Sequence, residues 1–131
     1  MSASPSPPGA IRIGYATYRV EHDRQRCDDD SVEGMSNGNQ RLILLRGDRP
    51  YDSAADTVLH EVLHQCLHVA GLDAGVLTGE DVTAHDVEER VVRAMSGMLL
   101  DTLRENPELV RYLLHNSPTA QALAKMNGAA R

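Results

Sequence analysis

Thr57-Val58-Leu59-His60-Glu61-Val62-Leu63-His64-Gln65-Cys66-Leu67-His68 is the stretch on which the reading of this chain turns. Laid on a helix of about 100° per residue, His64 and His68 fall within roughly 80° of His60, with Glu61 at about 100°. Val58, Leu59, Val62, Leu63, Cys66, Val69 and Ala70 gather on the opposite side as one apolar stripe. The histidine face carries neither Lys nor Arg, whereas a solvated face ordinarily mixes charges of both signs. Three of the six histidines of the chain lie on it. Ser53 is a plausible N-cap for this helix and Gly71 a plausible stop.

Two imidazoles four residues apart on one helix face can both reach a single Zn²⁺ at about 2.0–2.1 Å. A carboxylate directly after the first histidine sits beside the metal, where it can take a proton from an attacking water and pass it to a leaving group. The expectation is a zinc-dependent metallohydrolase, most simply a metallopeptidase acting on a protein or peptide substrate. His60 and His64 are its metal ligands and Glu61 its catalytic base. Zinc needs a third protein ligand and an open fourth position. A metzincin continuation would place Gly and His three and six residues after His64, but Leu67 and Ala70 stand there.

The remaining source is a glutamate on the following helix, expected from about Ala84 to Glu105 with Thr83 as N-cap. Glu88 shares a face with Val91, Val92, Met95, Met98, Leu99, Thr102 and Leu103. A carboxylate in the middle of a buried stripe is costly unless paired or metal-bound. Glu88 is therefore the expected third ligand, with Glu89 at the edge of the stripe as the alternative and His85 and Asp86 behind both. The helix dipole favours acids in any first turn, which explains their presence but not the inward position of Glu88. His68 is expected to support the site from behind the ligands, to meet substrate, or to pack as a partly buried histidine. Cys66, on the core side, reads as an inert thiol. Tyr15, Tyr18, Tyr51 and Tyr112 could each stabilise an oxyanion, core packing being the alternative for each.

The rest of the chain bounds the fold. Its 131 residues suit one domain, residues 11–116, between a Ser/Pro-rich tail over 1–10 and a flexible or weakly helical tail over 117–131. Phe and Trp are absent, so the core must be Val, Leu, Ile, Met and Ala. Residues 11–20 read as a strand and Leu42–Leu45 as a second, with a turn or hairpin at Asn37-Gly38 between them. Asp28-Asp29-Asp30 lacks the alternation, central Gly and closing Glu of a calcium loop and reads as solvated loop. Asn106-Pro107 opens a short helix to about His115. Strands followed by helices point to an α+β fold: a small antiparallel sheet of about three strands, packed against the HExxH helix, the glutamate-bearing helix and a short C-terminal helix.

The formal charge of −6 and the lack of a basic stripe argue against nucleic acid. No apolar run is long enough for a membrane span, and Cys27 and Cys66 make no disulfide framework. A cytoplasmic protein is expected.

The run Thr57–His68 resembles the active-site helix of the ImmA/IrrE family of zinc metallopeptidases, in which a Thr-Leu-x-His-Glu-x-x-His pattern follows a short strand, here Arg41–Leu45. The helix from Glu88-Glu89 to Leu100 is similar to the one that supplies that family's third ligand. The whole order is similar to small metallopeptidase-like proteins of phages and prophages. The resemblance implies a gluzincin-like site of His60, His64 and a glutamate, with Glu61 as base. The Ala-Asn, Phe-Ala and Pro signature that usually follows the family's glutamate is absent, and no attached regulatory or DNA-binding domain is expected. A peptide deformylase shares the HExxH helix but also needs an upstream Cys ligand, and Cys27 lacks that context. The non-enzymatic alternative is a zinc-stabilised binding or assembly module of phage or prophage origin, catalytically weak or inactive.

Overall fold

The computed structural model describes residues 5–72 and 83–129, the side chains of Glu88, Val92 and Ala129 excepted. The link expected between the two long helices, over residues 73–82, lies outside the described residues. Among the described residues four strands and five helices follow one another: β1 Ala10–Ile13, β2 Ala16–His22, α1 Arg24–Asp29, β3 Gly34–Asn37, β4 Leu42–Leu45, α2 Tyr51–Val69, α3 Ala84–Glu105, α4 Pro107–Leu113 and α5 Pro118–Ala129. The fold is α+β.

The sheet corrects the expectation of about three antiparallel strands. It has four, in the order β1-β2-β4-β3, and it is mixed. The first expected strand is a hairpin, broken at Gly14-Tyr15, with Ile11 opposite Tyr18 and Ile13 opposite Ala16. β4 then lies parallel to β2, Val20 opposite Ile43, because the chain crosses from one to the other through α1 and β3. Parallel neighbours require such a crossover, and the long stretch 23–41 supplies it. The loop reading of this stretch is also corrected at its start. Asp23 accepts from the Arg26 backbone N–H at 3.0 Å and caps α1, whose one buried side chain is Cys27. A six-residue helix with a single buried position leaves no periodic apolar signature.

The Asn37-Gly38 turn is where expected. The Asn37 side-chain oxygen accepts from the N–H groups of Asn39 and Gln40 at 2.9 and 3.0 Å, and β3 returns antiparallel on β4. α2 ends as the sequence implies. Gly71 takes φ +76°, the Leu72 N–H reaches the Leu67 carbonyl at 2.8 Å and the Gly71 N–H that of His68 at 3.0 Å, the double bond of a Schellman cap. Its start differs, since Pro50 rather than Ser53 stands at the N-cap. Thr83 and Asp86 form a reciprocal capping box on α3. Pro107 sits in the first turn of α4. The Asn106 amide instead pairs with the backbone of Arg12, at 2.9 Å to N and 2.7 Å to O, so the α3–α4 junction is tied to β1.

Val58, Val62 and Cys66, on successive turns of α2, press onto Ile11, Ile13, Tyr18, Ile43 and Leu45 of the sheet. Leu109 and Tyr112 of α4 close one side of this core, and Met95 and Met98 of α3 pack against it. Of the seven positions expected on the α2 stripe, Val58, Val62 and Cys66 are fully buried. Among the described residues no helix is long and apolar enough to cross a membrane.

Candidate metal centre

Burying the Val58–Val62–Cys66 stripe turns His60, His64 and His68 away from the core and along β3. The three histidines and Glu61 share one groove of about 630 Å³ with Ser36 and Gly38. β3 forms its opposite wall. This strand is bonded to β4 on one side only, so its second edge is unpaired among the described residues.

His60 and His64 are exposed, and their rings stand edge to face with centroids 4.7 Å apart. Their Nε2 atoms approach to 3.1 Å. Two ligands of a tetrahedral zinc, each about 2.0–2.1 Å from the ion, lie about 3.3 Å apart. The pair therefore fits two corners of such a site with a shift of a few tenths of an ångström. No third His, Cys, Asp or Glu joins them among the described residues.

The candidates for the third position are placed as follows. Glu88 stands in the first turns of α3, and its side chain lies outside the described residues. Glu89 is exposed and accepts from Arg93 one turn on, at 3.2 Å. Asp86 is taken up by the capping box and His85 is exposed. Where α3 meets α2 and the sheet, the described approaches are Thr102 to Cys66 and Met98 and Val69 to Gly14, on the core side of α2.

Glu61 differs from the histidines beside it. It is only 6% exposed, beneath β3. Its Oε1 accepts from the Ser36 hydroxyl at 2.7 Å, the Ser36 oxygen accepts from Gln65 Nε2 at 2.7 Å, and Gln65 Oε1 accepts from the Tyr18 hydroxyl at 2.8 Å. Gln65 and Tyr18 are 5% and 1% exposed. A buried carboxylate is tolerated only when hydrogen-bonded or paired, and this chain provides one such bond. Ser36, Gln65 and Tyr18 are the site residues that the sequence reading missed as a set. Gln65, four residues after Glu61 on the same helix face, was the one available signal.

His68 is half-buried against the β3–β4 turn, and a Cβ on Gly38 would collide with its imidazole. Any larger residue there requires the His68 ring to swing aside. Cys66 lies in the core, where burial pushes its thiol up, the Thr102 hydroxyl at 3.8 Å acting weakly the other way. No tyrosine lines the groove. Tyr15 is exposed, Tyr18 serves Gln65, and the Tyr51 hydroxyl donates to the Tyr112 and Leu113 backbone carbonyls at the end of α4. Tyr112 is buried, and its hydroxyl is the one fully buried side-chain polar atom without a partner among the described residues.

The chain matches no protein-family model, no curated protein and no solved structure.

Proposed function

We propose that the chain is a zinc metallopeptidase resembling the ImmA/IrrE family. The observation that carries this reading is the pair of Nε2 atoms 3.1 Å apart, with the Glu61 carboxylate buried and hydrogen-bonded beside them. His60 and His64 would hold the ion, with Glu88, or failing that Glu89, as the third protein ligand. A zinc ion bound there supplies Lewis-acid polarisation to a carbonyl and to an attacking water. Glu61 accepts the proton of that water as its oxygen bonds to the carbonyl carbon. It then delivers the proton to the amide nitrogen as the carbon–nitrogen bond breaks.

The unpaired edge of β3 favours a peptide over other amides. An extended segment can add to such an edge through main-chain hydrogen bonds, and residues 34–37 of β3 all line the groove beside His60 and Glu61. The same burial speaks against a purely structural zinc module, because holding an ion at His60 and His64 does not require a desolvated carboxylate at Glu61. The test is hydrolysis of unfolded casein by zinc-loaded protein, wild type and Glu61→Gln. Both are expected to hold zinc, and only the wild type to cleave. Equal cleavage by both would refute the mechanism. Zinc that raises the melting temperature with no cleavage by either protein would leave the zinc-stabilised module.

A further inference from the structure

The Tyr18–Gln65–Ser36–Glu61 chain has a direction. The Ser36 hydroxyl donates its single proton to Glu61 Oε1 at 2.7 Å. Ser36 can then only accept from its other neighbour, which fixes the Gln65 amide with its NH₂ towards Ser36 and its oxygen towards Tyr18. The Tyr18 hydroxyl in turn donates. Every donor is aimed towards the carboxylate, and bonds in such a series reinforce one another. The four residues come from three elements, Tyr18 from β2, Ser36 from β3, and Glu61 and Gln65 from α2. Neither His60 nor His64 belongs to the chain.

We propose that Ser36, held in turn by Gln65 and Tyr18, is a positioning residue for Glu61. Its hydroxyl engages one carboxylate oxygen, fixes the plane of the group, and leaves the other oxygen for the attacking water. It also ties the catalytic base to β3, the strand along which a peptide would lie. A shift of the substrate strand and a shift of the base are thereby coupled. This inference rests on the hydrolase reading above.

The test compares zinc-loaded wild type with Ser36→Ala and Ser36→Thr, using a defined fluorogenic peptide that the wild type cleaves. Ser36→Ala should lower kcat about 10- to 100-fold, the usual cost of losing such a support. KM and the zinc content should stay unchanged. Ser36→Thr keeps the hydroxyl and should restore most of the loss. A second readout needs no turnover. Acetohydroxamate, whose N–H and O–H groups can donate to a carboxylate, should bind zinc-loaded Ser36→Ala more weakly than wild type by calorimetry, and Ser36→Thr nearly as well as wild type.

Should Ser36→Ala not fold, Tyr18→Phe removes one oxygen at the far end of the chain and should lower kcat by a smaller factor at unchanged KM. Ser36→Ala with wild-type kcat and wild-type hydroxamate affinity would overturn the inference alone. So would a loss explained entirely by lost zinc or raised KM, which is the signature of a merely structural role. A zinc-loaded wild type that cleaves no peptide would overturn the hydrolase reading, and the inference with it.

Discussion

Two polar clusters flank β3, and they are built in opposite ways. At Ser36, hydroxyl and amide donors converge on one buried carboxylate. Around the start of the strand, charges pair at the surface: Arg49 grips Glu33 with two bonds of 2.8 and 3.2 Å, and Arg46 bridges Asp28 and Asp48, which also faces Arg24 at 3.2 Å. The first cluster has little access to water, so a missing partner there exposes the full desolvation cost of the others. The second is open to water at Arg24, Arg49 and Glu33, although the Arg46 side chain is only 10% exposed, and its outer pairs are individually weak and screened by salt. Directional, buried bonds fix the geometry of the candidate site. The arginine cluster only steadies the loops that lead to it.

The largest break in that contrast is Glu61→Gln. Proton transfer by a positioned group is worth about 100- to 10,000-fold, so peptide hydrolysis should fall by that factor at unchanged zinc content, measured on the same preparation. Gln65→Ala comes next. It removes the donor to Ser36 and the acceptor of Tyr18, and urea denaturation should show a loss of about 1–3 kcal/mol that added salt does not change. Gly38→Ala places a methyl group against the His68 ring, which must swing aside, so the cost should stay at or below about 1 kcal/mol, the lower end of core overpacking. Because the cause is one collision, His68→Ala should recover most of it, a coupling that the double mutant measures directly.

The smallest effect belongs to the surface cluster, and pH exposes it. The hydrogen bond from Arg49 holds the Glu33 carboxyl below its ordinary value of 4.5. Burial pushes the Asp48 carboxyl up, but the bond and charge of Arg46 outweigh it and hold the group below its ordinary 3.8. Both are depressed in the folded protein. Their contribution is therefore complete above the unfolded values and disappears as pH falls through the lower folded ones. Asp48→Asn combined with Glu33→Gln should flatten the acid limb of stability below about pH 4.5, by a margin that shrinks in high salt.

How much of this was legible depends on whether the signal was local. The histidine face, the Gly71 stop, the Thr83 capping box and the Pro107 start are written in residues within a turn or two of each other. The same holds for the Asn37-Gly38 turn. The mixed order of the sheet is not local, because it depends on how 23–41 crosses from β2 to β4. Nor is the role of Ser36. An isolated serine in a Gly/Ser/Asn-rich stretch carries no mark of its partner. Only the pairing of Ser36 with Ile43 and the docking of α2 beneath β3 bring it to Glu61. The apolar face of α3 could be read, and Met95, Met98 and Thr102 do turn inward, yet that face alone does not tell which acid at its start would complete the proposed site.

The central claim is that His60 and His64 hold a metal. It is tested most directly by counting zinc per chain in protein purified at neutral pH, wild type beside His64→Ala. One zinc per wild-type chain, and none in a folded His64→Ala, is the result expected from two Nε2 atoms 3.1 Å apart. A wild type that stays metal-free in the presence of zinc, or a His64→Ala protein that still binds one equivalent, would contradict it.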